Sequence, residues 1–439
     1  MKHDPRLSRR ALLKAAAAAS GAAAGARILG PFVPEAAAAT EPSHFVHILF
    51  NGGLNQLFAG WAGEYVSSGA FQVTGGNIRE IGDGVVTDKD TFGTFPDIAL
   101  QHWAGIGFMR GPDHTNTGNP NGGGELSIFR DDGINMSAKL AHAMGGDSAF
   151  KSVYFGDYPP SQRDLAPFEG ITNQPIVDLK DVLGTVGAKP PPPNASNRGL
   201  GANAVETALR MSKRQIDTNP GRLAQLVGAY NSATEALRKP LPATPPLTLP
   251  DLDAAYELGG KTTHTKESAP NGLAWRVRLA GAELMIRGAG SNVVNIADHK
   301  IQSWDFHQTD TGTEKVGNSI NGSLSRRAFL GTMSFDGGKG DRIKPLRTFL
   351  DRMLNLPDRN VVVCISGELA RTLNGDHSPG TVCAFFGKYL KRGLMYGCDS
   401  QVRFRGDTPG VKAFWAAAAA ATKVQGSPFG VNPYSKLIA

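Results

Sequence analysis

Val361-Val362-Val363-Cys364-Ile365 runs directly into Ser366-Gly367-Glu368-Leu369-Ala370-Arg371-Thr372 and then Gly375-Asp376-His377. The apolar run reads as a strand buried on both faces. Its end in an acid, an arginine, a second acid and a histidine looks like the carboxyl edge of a parallel sheet, where open α/β folds place their ligands. Upstream, Trp304-Asp305-Phe306-His307 supplies another acid and histidine two positions apart, which share a face if the segment is extended. The two segments together point to a metal site.

Working outward, His44-Phe45-Val46-His47-Ile48-Leu49-Phe50 reads as a first strand ending in Asn51-Gly52-Gly53-Leu54-Asn55-Gln56. Strand, paired glycines and a polar side chain is how an α/β domain begins, with its chemistry in the loop. Residues 60 to 95 read as Gly-rich and irregular. Ile106 to Arg110 reads as a second strand, followed by a long polar loop, Gly111 to Gly124, that contains Asp113-His114-Thr115-Asn116-Thr117. Loops longer than about 12 residues inside compact domains are usually functional or disordered. Ser137–Met144 is expected as a helix and Ser152–Phe155 as a strand. The four prolines Pro190–Pro193 form a stiff connector. Beyond it, Leu209, Ile216, Leu223, Leu226, Val227, Tyr230 and Leu237 recur at helical spacing, a helical insert over about 198–250. Helices over Leu273–Arg287, Lys344–Leu354 and Phe414–Thr422 alternate with a strand over Asn292–Ile296 and the Val361 strand. That alternation predicts a single α/β domain over 40–439: a mostly parallel central sheet with helices on both faces.

The chain has 439 residues, 41% of them hydrophobic, enough for a sizeable core. Its formal charge is +7, of which the first 39 residues carry +4, six basic residues against two acids, leaving +3. That balance, with no basic run beyond the leader, excludes a nucleic-acid footprint. Ser8-Arg9-Arg10-Ala11-Leu12-Leu13-Lys14, the weakly apolar Ala15–Ala26 and the small residues Ala36–Ala39 resemble a bacterial twin-arginine export signal over residues 1–39. The implied partner is the twin-arginine translocase, and the implied location is periplasmic or secreted. Gly21, Gly25, Gly30, Pro31 and Pro34 argue against an ordinary first helix. The similar Ser325-Arg326-Arg327-Ala328-Phe329-Leu330 lies deep in the chain and reads as a helix face. No other segment approaches the roughly 20 apolar residues of a membrane span. Cys364, Cys383 and Cys398 do not form a disulfide framework; one pair at most could join, and Cys364 reads as core.

On these segments the chain resembles the domain of unknown function 1501 family, whose members are commonly exported by twin-arginine signals and look like distant relatives of the alkaline phosphatase and sulfatase superfamily. The family pattern Gly-Gly-x-Asp-Gly stands here as Gly52-Gly53-Leu54-Asn55-Gln56. Gly-Trp-Asp-Thr-His stands as Ser303-Trp304-Asp305-Phe306-His307. Ser-Glu-Phe-Gly-Arg-Thr with Asp-His-Gly stands as Ser366 to Thr372 with Asp376-His377-Ser378. The resemblance implies an alkaline phosphatase-like sheet and a divalent metal held by Asp305, His307, Glu368 and His377, with Asp376 and Asn55 as further candidates. Zinc suits this imidazole and carboxylate set first, then manganese; calcium, a hard-oxygen ion, is third. Arg371 would meet an oxyanion as a planar fork. Thr115 or Thr117 would be the nucleophile, and His114 a ligand or a base.

Two functions follow. The first is an exported metal-dependent hydrolase of phosphate or sulfate esters, with a small-molecule or glycan ester as substrate. The second is a non-catalytic exported binding or structural protein on the same scaffold, favoured by Asn55, where an amide replaces the family's acid. The same residues also have plain structural readings: Asp305 and Glu368 as helix caps or partners of Arg371, and the histidines and threonines as ordinary loop residues.

Overall fold

The computed structural model describes residues 41–50, 61–62, 78–109, 130–131, 134–146, 148, 150–156, 167–186, 247–265, 272–298, 324–332, 340–367, 370–371, 377–378, 380–395, 404 and 407–438. The chain divides into two units, Met1–Glu41 and Pro42–Ala439. Only Glu41 of the first is described, so the expected leader lies outside the described residues. So does nearly all of the expected helical insert.

The second unit opens with β1 (Ser43–Phe50), then β2 (Trp61–Ala62), β3 (Ile78–Gly82) and β4 (Val85–Asp88). Helix α1 (Asp97–Gln101) leads into β5 (Trp103–Met109), and β6 (Arg130–Asp131) and β7 (Ile134–Asn135) precede α2 (Met136–Met144). There follow β8 (Ser152–Phe155), β9 (Asn173–Pro175), α3 (Leu179–Val186), α4 (Leu249–Tyr256), α5 (Leu273–Arg287), β10 (Val293–Ala297), α6 (Leu324–Phe329) and α7 (Ile343–Leu354). The chain closes with β11 (Asn360–Gly367), β12 (Ala370–Arg371), β13 (His377–Ser378), β14 (Gly380–Phe386), β15 (Gly393–Met395) and α8 (Val411–Ala421).

Eight of these strands form one sheet in the order β15-β5-β14-β11-β1-β10-β8-β9. β1 pairs in parallel with β10 on one side and β11 on the other, Phe45 opposite both Val293 and Val362. Only β14 runs against its neighbours, antiparallel to both β11 and β5, so β5 and β15 point the same way as β11. The fold is therefore α/β with a mostly parallel central sheet.

The strands read as unbroken apolar runs because both faces are covered. Val46, Ile48, Phe50, Val294, Ile296, Val363 and Ile365 share one core with Trp275, Leu279 and Leu284 of α5 and Phe349 and Leu350 of α7. The alternate residues Phe45, Leu49, Val293, Val362, Cys364 and Phe385 share the other core with Leu140 of α2 and Phe414 and Trp415 of α8. Cys364 is indeed core. Helix α5 comes unusually close to the sheet: a Cβ on Gly281 would stand 2.3 Å from the Phe155 ring and 2.8 Å from Leu179. A glycine inside a helix costs roughly 1 kcal/mol relative to alanine, and here it permits that approach. Local chemistry sets the helix starts. The Asn135 side chain accepts from Ala138 N at 3.1 Å at the head of α2, and Thr248 and Asp251 form a reciprocal capping box at the head of α4.

Two differences from the sequence reading stand out. Residues 78–88, read as irregular, form an antiparallel pair, Ile78 opposite Asp88, with its turn at Asp83 and Gly84. Both turn residues have positive φ, 55° and 76°, as a tight hairpin of this twist requires. Gly380–Phe386 is a full strand, and its antiparallel run is the one exception to the parallel sheet. The inner Ser325–Phe329 segment lies in α6, where Arg326 Nε donates to buried Asp88 at 3.0 Å and its Nη2 pairs with Asp90.

Candidate functional site

β1, β5, β8, β10 and β11 point the same way, so their carboxyl ends lie along one edge. Asn55 lies five residues beyond Phe50, the last residue of β1, and Glu368 follows Gly367, the last of β11, directly. Asp305 and His307 lie eight and ten residues beyond Ala297 of β10, and Thr115 and Thr117 six and eight beyond Met109 of β5. Neighbouring strands are spaced by about 4.8 Å, so the ends of β10, β1 and β11 span roughly 10 Å, and β5 lies roughly 10 Å further along. A residue reaches at most about 3.5 Å of chain, so all these segments start within reach of one another. Asn55, Thr115, Thr117, Asp305, His307, Glu368 and Asp376, with His114, lie outside the described residues.

Two candidates are partly described. Arg371 in β12 and His377 in β13 are directly opposed in an antiparallel ladder, next to Ala370 opposite Ser378. That ladder sits between the end of β11 and the start of β14. Arg371 and His377, which the sequence placed in one motif, therefore occupy facing register positions.

The edge itself is held by buried polar contacts. Asp298 follows β10 and its N–H donates to Leu49 O at 3.0 Å, joining the ends of β10 and β1. Its carboxylate is fully buried, with Oδ2 3.5 Å from Nε of equally buried Arg342. Buried Arg278 of α5 donates through Nη1 to Ala297 O and through Nη2 to His264 O at 3.2 Å, clamping the same strand end. Gly156, at φ 113°, closes the end of β8 so tightly that a Cβ would lie 2.8 Å from Ala297 O.

On β11, Ser366 Oγ shares a 2.7 Å hydrogen bond with His47 Nε2, and the Thr381 hydroxyl donates to Gly367 O at 3.3 Å. These bonds fix where β11 ends and so where Glu368 leaves. Burial pushes His47 down to about 3, so its ring is neutral at ordinary pH. A neutral imidazole beside a serine hydroxyl has the geometry of a base and nucleophile, yet both side chains are sealed inside the sheet's core, and their role is to position the strand. Burial, helped by neighbouring Cys383, drives the Cys364 thiol well above its ordinary range, so it offers no thiolate. Among the described residues no group of three or more His, Cys, Asp or Glu side chains converges as a metal site.

Sequence reasoning missed Asp298, although its signal was present: like Glu368, it directly follows an apolar strand run, Val293–Ala297. Arg278 carries no such signal, because an arginine between Val277 and Leu279 in a helix reads equally well as a surface residue whose stem packs on the core, and Arg342, next to Asp341 just before α7, reads equally well as an exposed loop cation. Comparison of the chain with protein-family models, with curated proteins and with solved structures finds no match.

Proposed function

We propose that the chain is an exported metal-dependent hydrolase of phosphate or sulfate esters, built on an alkaline phosphatase-like α/β scaffold with residues 1–39 as a twin-arginine leader. The observation that carries this reading is the topology of the edge: the segments bearing Asn55, Asp305 with His307, and Glu368 leave three adjacent parallel strands, β1, β10 and β11. Arg371 opposite His377 adds a cation and an imidazole beside the third. Asp305, His307, Glu368 and His377 hold the metal, with Asp376 and Asn55 as further ligands, a mixed nitrogen and oxygen donor set that fits zinc or manganese. When bound, such an ion supplies Lewis-acid stabilisation of the ester oxygens and activation of the attacking hydroxyl. Arg371 holds the ester oxyanion through its planar fork, and Thr115 or Thr117 supplies the hydroxyl.

The second reading is a non-catalytic exported binding protein on the same scaffold, and Asn55 favours it. An amide oxygen can ligate but brings no negative charge, so metal affinity drops where the family resemblance has an acid. Elemental composition of the exported protein, measured beside turnover of chromogenic phosphate and sulfate esters, separates the two. Under the first reading hydrolysis vanishes with chelator, and His307→Ala loses more than about 100-fold, because even outer-shell partners of a metal are worth 10- to 100-fold. Asn55→Asp then tightens metal binding. Bound metal without turnover selects the second reading, and neither metal nor turnover overturns the first.

A further inference from the structure

The opposite edge of the sheet carries a chemistry of its own. From His377 to Cys398 the sequence contains Lys388, Lys391 and Arg392 and no acid. From Thr408 to Ala439 it contains Lys412, Lys423 and Lys436 and no acid. Six cations without a carboxylate exceed the whole +3 that residues 40–439 carry, so the rest of that unit is net negative.

The fold draws most of these cations to the amino end of β11, where β14 finishes. Lys423 Nζ lies 3.2 Å from the centre of the Tyr389 ring and Lys388 Nζ lies 5.5 Å from it. Lys388 also donates to Arg359 O at 3.0 Å, just before β11 begins. Lys391 N donates to Leu437 O at 2.9 Å, which brings Lys436 alongside. Two local cations are already neutralised, Arg359 by Asp358 and Arg392 by Asp83, both at 2.7 Å. Lys391, Lys423 and Lys436 are exposed and enter no ion pair among the described residues. The chain joins the fold at this same end: Asn360 N donates to Pro42 O at 2.9 Å.

We infer that this amino-edge lysine cluster is an electrostatic docking face for an anionic lipid surface. The partner chemistry follows from the side chains. Lysine ammoniums are point charges that suit phosphate headgroups in any orientation, whereas recognition of planar groups uses the arginine fork. No apolar side chain need insert, because several lysines near an anionic surface already give measurable partition. A face that works this way is salt-sensitive, since exposed charges more than a Debye length away, about 8 Å at physiological ionic strength, are screened.

The test is co-sedimentation of the full chain with vesicles of phosphatidylcholine alone or with phosphatidylglycerol added. Binding is expected only with the anionic lipid and is lost as salt rises from about 0.05 to about 0.5 M. The triple variant Lys391→Gln, Lys423→Asn, Lys436→Gln is expected to bind roughly 100-fold more weakly, about fivefold for each lysine. Asparagine at 423 respects the left-handed backbone there, φ 57°. Lys180→Gln with Lys261→Gln, exposed lysines near the far edge, removes two charges where the triple variant removes three, and is expected to bind like wild type. The triple variant and this control both retain the basic residues of positions 1–39, so a difference between them belongs to the cluster. If the triple variant binds like wild type, or if Arg9→Gln with Arg10→Gln abolishes binding by itself, the inference is wrong. Competition by millimolar inorganic phosphate would also overturn it, by marking a discrete phosphate pocket in place of a lipid surface.

Discussion

Two buried charge clusters in this fold are built on opposite terms. In the helical layer, Glu283 of α5 accepts from Tyr256 Oη at 2.7 Å, Arg287 Nη1 at 2.6 Å, and Arg352 Nε and Nη2 at 2.7 and 2.6 Å. At the carboxyl edge, Asp298 meets Arg342 only at 3.5 Å, and Nε and Nη2 of Arg342 find no hydrogen-bond acceptor among the described residues. Arg342 spends Nη1 on Gly340 O at 2.5 Å. A buried charge is tolerated when its hydrogen-bonding capacity is used, and each unmet donor carries a desolvation cost. The first cluster therefore works as a bolt between α4, α5 and α7. The second keeps charge at the edge where the candidate ligands leave the sheet, at some cost in stability, as functional edges often do.

The largest effect expected from this contrast is at Glu283. Replacing it with alanine leaves Tyr256 and two arginines facing a buried gap. Arg287 and Arg352 are a quarter to a third exposed and recover part of their hydration, so the loss is about 3 kcal/mol, at the low end for breaking a buried pair. Denaturant titration measures it. A loss under about 1 kcal/mol would remove the bolt from the comparison.

The second effect is acid sensitivity, and it belongs to the strands. Burial pushes His44 down to about 4 and His47 to about 3 from an ordinary 6.5. In both cases desolvation dominates; at His44 the hydrogen bond to Ser291 O, 2.6 Å, opposes it. The folded pKa is depressed, so between about 4 and 6.5 the unfolded chain binds the extra proton. Stability from keeping these rings neutral is complete above 6.5 and falls as pH drops, by about 1.4 kcal/mol per pH unit for each histidine. Replacing the pair His47 and Ser366 with Phe and Ala removes both hydrogen-bond partners at once, which leaves stability at neutral pH nearly unchanged. The same double variant should flatten the slope of stability against pH between 6.5 and 4 by about 1.4 kcal/mol per unit. An unchanged slope would mean that the His47 ring is not held neutral in the fold.

How much of this was written in the sequence depends on which force fixes each part. β1, β10 and β11 are legible because burial on both faces demands uninterrupted apolar runs, and Val361–Ile365 or Val46–Phe50 cannot be exposed cheaply. β14 was not legible: Gly380 and Gly387 bracket Thr381–Phe386 like loop punctuation, and nothing local distinguishes an antiparallel strand inserted among parallel ones. The β3 and β4 hairpin was overlooked although Asp83-Gly84 is itself a turn signal, because the surrounding glycines suggested irregularity. At the candidate site the motifs named Arg371 and His377, and the register that sets them opposite one another came only with the fold. Asp298 carries no motif spacing of the kind Trp304-Asp305-Phe306-His307 shows; its signal is the simpler rule that an acid ending a buried strand lies at the edge.

The smallest effect is also the sharpest, because it compares the two clusters with one instrument. Double-mutant cycles isolate a pairwise coupling from the cost of each truncation. For Glu283 and Arg352, using Glu283→Gln and Arg352→Met, the two short charge-assisted bonds predict a coupling of about 2 kcal/mol. For Asp298 and Arg342, using Asp298→Asn and Arg342→Met, a 3.5 Å contact without a hydrogen bond predicts under about 1 kcal/mol. Both pairs start from a fully buried carboxylate, so desolvation of the acid is common to the two cycles, and the difference reports hydrogen bonding together with the burial of the cation, Arg342 being 1% exposed and Arg352 30%. Equal couplings would make the edge pair a second bolt, and Asp298 would then be explained by stability alone. Unequal couplings would show that the Arg342 contact is not what holds Asp298 at the edge. In that case Asp298→Asn should lower metal uptake, under the hydrolase reading, by a larger factor than the cycle's loss of stability accounts for.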